Sequence, residues 1–277
     1  METQLARQLQ QFLEEDIGLG DITTDSVFGP RQEGLAVFVA KEEFVTAGID
    51  EIAPLVFTTR NPRIVCTPLI EDGETALPGK QIFSAQGPVR DLLSAERLAL
   101  NLVQRLSGIA TLTAAFVHEV EGLPVRILDT RKTTPGLRVL EKYAVRVGGG
   151  HNHRFSLADG ILLKDNHIAA CGSIAQAVRI LRDKAPHTLK IEVETENLTQ
   201  VEECLACGVE IIMLDNMAPA LMRQAVTMID GRALVEASGG VNLANVREIA
   251  ETGVDLISVG ALTHSAKAVD ISMRLSV

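Results

Sequence analysis

Apolar residues in the second part of the chain recur in short runs that alternate with stretches of helical spacing. Runs at 125–128, 161–163, 189–193, 210–214, 233–235 and 254–259 predict strands, and helical periodicity predicts helices at 173–184, 197–207, 218–229 and 243–252. Strands that alternate with helices indicate βα units and a parallel sheet. We therefore expect an α/β architecture for this part of the chain.

The pattern before residue 110 is less regular and predicts a smaller α+β domain. Helices are expected at 4–15 and 49–57, strands at 34–40, 63–66 and 80–84, and a turn-rich loop at 18–25. A strong helix is expected at 89–106, with Gly108 breaking it before a second helix at 109–121. We therefore divide the chain into domains 1–110 and 111–277, and leave open a return of the C-terminal tail to the first domain.

The second domain is too short for a complete eight-fold barrel, which takes about 250 residues. We expect an incomplete parallel α/β barrel, with a flavodoxin-like open sheet as the alternative. The open sheet predicts a single crevice at a switch point in the strand order. The barrel predicts functional residues at every strand end, and each predicted strand here ends in polar or glycine residues.

Charge is distributed unevenly along the chain. The protein has a net charge of −10, yet residues 126–167 hold eight Lys/Arg against four Asp/Glu. A basic stretch inside an acidic protein indicates a site for a small anion, and it argues against a nucleic-acid partner. Residues 1–16 read as a polar amphipathic helix, and no apolar run reaches membrane-spanning length, so we expect a cytoplasmic protein without a membrane partner.

Three groups of residues at the predicted strand ends carry candidate chemistry. Cations suited to a ligand with more than one acidic group are Arg131, Lys132, His153, Arg154 and Lys164. Glu194 and Asp215 could hold Mg²⁺ together with substrate phosphates, or form salt bridges to these cations. Glycine-rich loops at 238–240 and 259–265 could bind a phosphate through backbone N–H groups. A metal site at His151-x-His153 is disfavoured, because His264 is the one later histidine near a strand end.

Several long motifs together resemble one family, the quinolinate phosphoribosyltransferases, which are decarboxylating nicotinate-nucleotide pyrophosphorylases of NAD synthesis. The motifs are ERLALNLVQRLSGIAT (96–111), DTRKTTPGLRVLEKYAVRVGGGHNHR (129–154), LLKDNHI (162–168), KIEVE (190–194), IIMLDN (211–216), EASGG (236–240) and VGALTHS (259–265). The resemblance extends from the GDITTD loop to the C-terminus. It implies an open sandwich-like first domain, an incomplete barrel, and a homodimer or a hexamer built as a trimer of dimers.

The resemblance also implies substrates and roles for individual residues. The substrates would be quinolinate and phosphoribosyl pyrophosphate, the latter with Mg²⁺. Quinolinate would be bound by Arg131, Arg154 and Lys164, with Lys132 and His153 lining its pocket and Arg97 supplied by the partner subunit. Glu194 and Asp215 would face the ribose and Mg²⁺, and the 5′-phosphate site would comprise Ser238, Gly239, Gly260 and His264. Lys132, His153, Lys164, Glu194 and Asp215 are the candidate catalytic residues.

Two departures and two alternatives accompany the resemblance. Ser156 stands where relatives often carry glycine, and residues 41–48 lack a glycine common after the acidic pair, which puts local loop shape in doubt. One alternative is a paralogous phosphoribosyltransferase of molybdenum-operon type with another acceptor. The other is a non-catalytic protein that binds anions or nucleotides on the same fold.

Overall fold

The computed structural model describes the backbone of residues 2–277 and the side chains of residues 4–277. The chain divides into two compact units: the residues up to Leu112 together with Ala266–Val277, and the residues Thr113–Ser265. The division expected from sequence lies at residue 110, and it leaves open a return of the C-terminal tail to the first domain. In the structure the unit changes after Leu112, and Ala266–Val277 packs with the first unit.

The helices and strands follow one another in an order that separates two kinds of sheet. In chain order they are α1 (Glu2–Ile17), α2 (Ile22–Val27), β1 (Glu33–Ala40), β2 (Phe44–Val45), α3 (Ile52–Arg60), β3 (Val65–Pro68), β4 (Thr75–Ala76), β5 (Gln81–Pro88), α4 (Val89–Glu119), β6 (Arg126–Leu128), α5 (Arg138–Val147), β7 (Ile161–Leu163), α6 (Asp165–Cys171), α7 (Ile174–Lys184), β8 (Ile191–Thr195), α8 (Leu198–Cys207), β9 (Ile211–Asp215), α9 (Pro219–Ile229), β10 (Leu234–Ser238), α10 (Val246–Ala250), β11 (Leu256–Ser258), α11 (Ala261–His264) and β12 (Ile271–Ser276).

The first unit is organised around an antiparallel sheet with the strand order β12-β1-β5-β3. The rings of Phe38, Phe57 and Phe83 meet in its core, with centroids 5.2 to 6.0 Å apart. Aromatic side chains bury large apolar areas, so this trio is a main source of the unit's stability. The C-terminal strand β12 pairs with β1 along its whole length, which joins the last residues of the chain to this sheet.

The structure contradicts two local predictions in this unit. Residues 18–25 are not wholly a loop, because Asp21 caps the short helix α2 through its carboxylate, which accepts the Thr24 N–H. Gly108 does not break a helix, since α4 runs without interruption from Val89 to Glu119. A Cβ at Gly108 would lie 1.9 Å from the carbonyl oxygen of Lys267, so the glycine serves a close approach of the backbone.

Helix α4 is also long and apolar enough, by length and composition alone, to cross a membrane, and its most apolar window is 56% buried. The apolar runs in the sequence did not predict this match, because none of them reaches membrane-spanning length. A buried core helix passes the same test of length and composition, which makes the match weak evidence for a membrane span.

The second unit contains six parallel strands in the order β6-β11-β10-β9-β8-β7. From β7 to β11 each strand lies beside its successor, and β11 returns to β6, so the order has no switch point. This order is that of a barrel and differs from a flavodoxin-like sheet. The prediction of an incomplete parallel α/β barrel preceded by a smaller sandwich-like α+β domain is confirmed.

Strands β6 and β7 do not pair with each other, so the barrel is left open at that position. The segment around His151 partly fills the opening, because it forms a parallel bridge with Leu128 at the end of β6. Its backbone donates the His151 N–H to Ile127 and accepts the Asp129 N–H. The segment around His151 therefore forms part of the barrel wall.

We expect Gly108→Ala to destabilise the protein by about 1–3 kcal/mol, because a methyl group would overlap the Lys267 carbonyl oxygen. Urea unfolding measures the loss. Gly29→Ala is the matched control, since Gly29 has no positive φ and no atom within 4 Å of its added Cβ. Equal stability of the two variants would contradict the close approach.

Candidate active site

Chemically active side chains collect where the parallel strands of the second unit end. Lys164 follows β7, Glu194 lies near the end of β8, and Asp215 and Ser238 are the last residues of β9 and β10. Gly260 follows β11, and Arg131 and Lys132 follow β6. Because the strands are parallel neighbours, their carboxyl ends lie at one edge of the sheet, which is where barrels form active sites.

Lys164 and Glu194 form an ion pair across this edge. The Lys164 Nζ lies 3.1 Å from Glu194 Oε2, and the Lys164 side chain is 47% exposed while that of Glu194 is 13% exposed. The half-exposed ammonium is therefore positioned by a nearly buried carboxylate. Glu194 therefore forms a salt bridge to Lys164, one of the two roles considered for it from the sequence. The Lys164 ammonium remains exposed enough to contact a ligand as well.

The ends of β9 and β10 are joined through Asn216, which lies next to Asp215. The Asn216 side-chain amide donates to Asp215 Oδ2 at 2.6 Å, and its backbone N–H donates to the Ser238 carbonyl at 2.9 Å. Gly239 has a φ of +91°, and a Cβ there would lie 2.2 Å from Asn216 Oδ1. The Ser238–Gly239 turn thus needs glycine for both its backbone conformation and its contact with Asn216.

Lys132, Gly260 and His264 lie close together at the adjoining end of the sheet. An ideal Cβ on Gly260 would lie 3.0 Å from Lys132 Cδ and 3.2 Å from His264 Nε2. The hydroxyl of Thr263 donates to the Lys132 carbonyl at 2.8 Å and so ties the two loops together. His264 is exposed and shares a 2.7 Å contact with the hydroxyl of Ser265.

Two arginines are held near each other on the basic stretch. Burial and then the charge of Arg131 lower the pKa of Arg154. One Arg154 Nη donates to the Gly160 carbonyl at 2.8 Å, which fixes the guanidinium beside the start of β7. Among the described side chains, no carboxylate forms a hydrogen bond with the Arg154 guanidinium. Two neighbouring guanidinium groups in this state favour the binding of an anionic ligand.

A fully buried ion pair between Asp129 and Lys142 lies beneath the cationic loop. Both side chains are 0% exposed, and the Lys142 ammonium contacts Asp129 Oδ1 and donates to the His153 carbonyl at 2.8 Å. Burial raises the pKa of Asp129 and lowers that of Lys142, while their mutual attraction opposes both shifts. The same ammonium lies 5.0 Å from the centre of the Phe155 ring.

Asp129 also organises the backbone of the loop that carries the cations. Its carboxylate accepts the His153 N–H at 2.8 Å and the Asn152 side-chain amide at 2.6 Å. The Asn152 amide in turn donates to the Lys142 carbonyl at 2.9 Å. Residues 152–154 are therefore fixed by a closed set of buried hydrogen bonds, which sets the direction in which Arg154 leaves the backbone.

His153 does not share the exposed edge with the lysines, because its ring points toward two buried carboxylates. Its Nε2 lies 3.3 Å from Glu192 Oε2 and 3.7 Å from Glu236 Oε1. Burial and the neighbouring Glu192 carboxylate raise the pKa of Glu236 to about 7. These groups line a cavity of about 560 Å³ that extends toward the amino ends of the strands.

Arg97 lies in the first unit, on α4, with an exposed side chain. Burial raises the pKa of the adjacent Glu96, and the Arg97 charge lowers it. The other predicted site residues belong to the second unit, and most of them end or follow its strands: Arg131, Lys132, Lys164, Glu194, Asp215, Ser238, Gly239, Gly260 and His264. Arg154 differs from these residues, as His153 does, because its guanidinium donates to the carbonyl that precedes β7 and lines the cavity at the amino ends of the strands.

Sequence reasoning missed Glu192, Glu236, Asp129, Lys142 and Asn152. Strand alternation offered a signal for the first two, because Glu192 and Glu236 each lie two residues before a predicted site residue, on the same side of their strand. No comparable signal marks Lys142, which is a buried residue of the helix α5 that the apolar pattern did not predict.

Ser156, one of the two departures from the family pattern, lies in a short turn. Its N–H donates to Asp159 Oδ2 at 2.8 Å, and its hydroxyl accepts the Ala158 N–H at 3.1 Å. At the other departure, the backbone N–H and the hydroxyl of Thr46 both donate to the Glu74 carbonyl, each at 2.9 Å. Both loops are thus closed by local hydrogen bonds.

The fold is an incomplete α/β barrel whose strand ends carry cations and two carboxylates, an arrangement typical of an enzyme that binds anions. The sequence matches the domain description "Quinolinate phosphoribosyl transferase, N-terminal domain" over residues 21–107 and the corresponding "C-terminal domain" over residues 109–274. The chain belongs to the quinolinate phosphoribosyltransferase family.

Individual relatives agree with this assignment. The chain is 47% identical over 273 residues to the probable nicotinate-nucleotide pyrophosphorylase [carboxylating] of Bacillus subtilis, covering 99% of this chain and 94% of that protein. It is 40% identical to quinolinate phosphoribosyltransferase [decarboxylating] 1b of Nicotiana tabacum, covering 96% and 81%. The crystal structure of NadC from Streptococcus pyogenes has a TM-score of 0.96 and 43% identity, covering 100% and 98%.

We expect Lys142→Met to cost about 3–5 kcal/mol of stability, because it leaves the buried Asp129 carboxylate without its counter-charge. Adding Asp129→Asn should recover part of the loss, since the remaining buried group is then neutral. Urea unfolding of the single and double variants measures the coupling. Lys184→Met, which removes an exposed lysine, is the control. If Lys142→Met lowered the free energy of unfolding no more than the control does, the ion pair would not stabilise the fold.

Proposed function

We propose that this protein transfers the phosphoribosyl group of phosphoribosyl pyrophosphate to quinolinate with loss of CO2. The products are nicotinate mononucleotide, pyrophosphate and CO2, and the reaction belongs to de novo NAD synthesis. One observation supports the proposal: cations and carboxylates follow or end neighbouring parallel strands at the same edge of one barrel, and the Lys164 Nζ lies 3.1 Å from Glu194 Oε2. The cations suit the two acidic groups of the acceptor, and the carboxylates suit the ribose and metal side of the donor.

The acceptor would bind on the cationic loop and its neighbours. Arg131 and Arg154 would each grip a carboxylate through parallel hydrogen bonds, which an arginine offers and a lysine does not. Lys164 is held half-exposed by Glu194, so it can add a third cation beside them. Lys132 would face the same ligand from the Gly260 side. His153 would border this pocket through its backbone and its link to Arg154.

The donor would bind across the remaining strand ends. The backbone N–H groups around Ser238, Gly239 and Gly260 suit a 5′-phosphate, with His264 at the margin of that site. Glu194 and Asp215 would face the ribose hydroxyls and a Mg²⁺ ion that arrives with the pyrophosphate. Their oxygen donors fit Mg²⁺, which is commonly bound by one or two carboxylates plus substrate phosphates. When bound, the ion would offset the charge of the leaving pyrophosphate.

The chemistry needs positioning and charge compensation rather than a side-chain nucleophile. The pyridine nitrogen attacks the anomeric carbon as pyrophosphate leaves, and the ring becomes cationic. Glu194 and Asp215 would stabilise positive charge on the sugar, as preorganised groups do in a closed site. The ring cation then accepts the electron pair released as CO2 departs, and a proton replaces CO2 on that carbon.

Assembly and location also belong to this proposal. Arg97 is exposed on the first unit, and we place it in the active site of a partner subunit, within a homodimer or a hexamer of three dimers. The bacterial and archaeal proteins that this chain resembles include two that are each named probable nicotinate-nucleotide pyrophosphorylase [carboxylating]. We place the protein in the cytoplasm accordingly.

The proposal is tested by release of CO2 from carboxyl-labelled quinolinate in the presence of phosphoribosyl pyrophosphate and Mg²⁺. We expect turnover that requires both substrates and is abolished by a chelator. Binding of both ligands without CO2 release would favour the non-catalytic alternative. Turnover with another acceptor but not with quinolinate would favour the molybdenum-operon type.

We expect Arg154→Ala to weaken quinolinate binding by about 1.5–3 kcal/mol, the range for a hydrogen bond to a charged group. Calorimetric titration with quinolinate measures the change. Arg146→Ala is the matched control, because Arg146 is an exposed arginine of the same basic stretch on α5. Unchanged affinity in Arg154→Ala would remove Arg154 from the site.

We expect Arg97→Ala and Lys132→Ala to be inactive alone and partly active when mixed. A shared site would let a hybrid dimer assemble one intact site from the two chains. Mixing and subunit exchange, verified by mass spectrometry, followed by the CO2 assay, measures the rescue. Verified hybrids without activity would contradict the placement of Arg97 in the partner's site.

A further inference from the structure

His153, Glu192 and Glu236 form a cluster inside the barrel, and the two carboxylates of this cluster have no part in the function proposed above. Its side-chain ligand atoms all lie within 4.8 Å of one another. Glu192 and Glu236 are 5% and 1% exposed, and Oε1 of each has no hydrogen-bond partner among the described residues. Two carboxylates buried so deeply are costly, so their presence calls for a specific use.

The two ring nitrogens of His153 have different partners. Nδ1 accepts the backbone N–H of Arg154 at 2.8 Å, so the proton of the neutral ring lies on Nε2 and points toward Glu192 and Glu236. A metal ion bound at Nε2 would require the proton on Nδ1, where it would face the Arg154 N–H. The hydrogen bond therefore argues against a metal ion held by these three residues.

The same hydrogen bond decides the charge of the ring. The pKa of His153 is raised overall. Burial and the charge of Lys142 lower this pKa, but the hydrogen bond with Glu192 and the charges of Glu236 and Glu192 raise it by more. A second proton would have to sit on Nδ1, which is occupied as an acceptor. We therefore assign the neutral ring with Nε2 protonated.

We propose that Glu192 and Glu236 are positioning residues that act through His153 on Arg154. The Glu192 carboxylate, 3.3 Å from Nε2, accepts Nε2–H and fixes the ring, while the Glu236 carboxylate contributes its charge from 3.7 Å. Nδ1 of the fixed ring accepts the backbone N–H of Arg154. Asp129 holds the preceding N–H, so the backbone of His153 and Arg154 is fixed at two successive amides. This arrangement would orient Arg154 for the dicarboxylate ligand, which rests on the function proposed above.

This role separates His153 from the residues that contact the ligand. Both of its ring nitrogens are engaged within the protein, one by a backbone N–H and one by carboxylates. Its contribution to binding is then the orientation of Arg154, whose guanidinium is further fixed by the Gly160 carbonyl. Removal of the Glu192 or Glu236 carboxylate should weaken the binding of the dicarboxylate and leave the binding of the phosphoribosyl donor unchanged.

The test combines nitrogen-15 spectra of the histidine rings with steady-state kinetics. In the unaltered protein we expect His153, assigned with a His153→Gln variant, to show a protonated Nε2 and an unprotonated Nδ1. Glu192→Leu should lose this pattern and raise the KM for quinolinate about tenfold, as for one lost hydrogen bond, with the KM for the donor unchanged. Glu192→Gln should restore both, because its amide oxygen still accepts Nε2–H.

Further variants keep the proposal open to refutation. Glu236→Leu is the second test if Glu192→Leu does not fold, and Met213→Leu is the control, since Met213 is a buried apolar residue of β9 with no polar role. Folded leucine variants with an unchanged quinolinate KM would overturn the proposal. So would an Nδ1-protonated ring, or stoichiometric Zn²⁺ uptake that His153→Gln abolishes.

Failure of the proposed function has a different signature. If the unaltered protein neither binds nor turns over quinolinate, the function is wrong, while the ring tautomer still reports whether the carboxylates position His153. If quinolinate is turned over and the tautomer differs from the one assigned, the positioning proposal alone is wrong.

Discussion

The buried ion pair between Asp129 and Lys142 is the constraint on which the functional face of the second unit depends. One carboxylate, at the end of β6, contacts an ammonium from α5 and binds the loop that follows it through two further donors. A charge pair out of contact with water is stabilising only when nearly every lone pair and proton is satisfied. That requirement is what gives the 152–154 loop a single conformation, and with it the exit direction of Arg154.

Alternation along the strands extends this order across the barrel. Glu192 and Glu194 lie on one side of β8, and Glu236 and Ser238 lie on one side of β10. The inner member of each pair lies among buried groups around His153, and the outer member lies near the edge with the cations. Each strand thus supplies one residue inside the barrel and one residue at the edge of the sheet, two positions apart.

Much of this architecture could be predicted from the sequence because it rests on local periodicity. The parallel strands and their helices follow from apolar runs, and the site residues follow from their positions after those runs. Helix α5 was missed because it is rich in charged residues, and one of these, Lys142, is buried by a partner that is distant in sequence. The continuity of α4 was missed because a glycine that permits close packing looks like a glycine that ends a helix.

The family resemblance implies that His153 lines the quinolinate pocket, whereas its ring points toward two buried carboxylates. Its orientation depends on two carboxylates that lie 39 and 83 positions further along the chain, which no local pattern connects to it. The residues at the strand ends could be named from the sequence, whereas the groups that orient them could not, since orientation depends on pairings between distant segments.

The bridge between Leu128 and His151 has a thermodynamic consequence. The segment that continues the wall beside β6 is the same segment that ends in Arg154, whose guanidinium reaches the carbonyl just before β7. An anion bound by Arg154 would therefore stabilise the connection between the β6 side and the β7 side of the gap in the barrel. Because any ligand that binds the folded state alone adds to its stability, occupancy of the site should slow local opening of this gap.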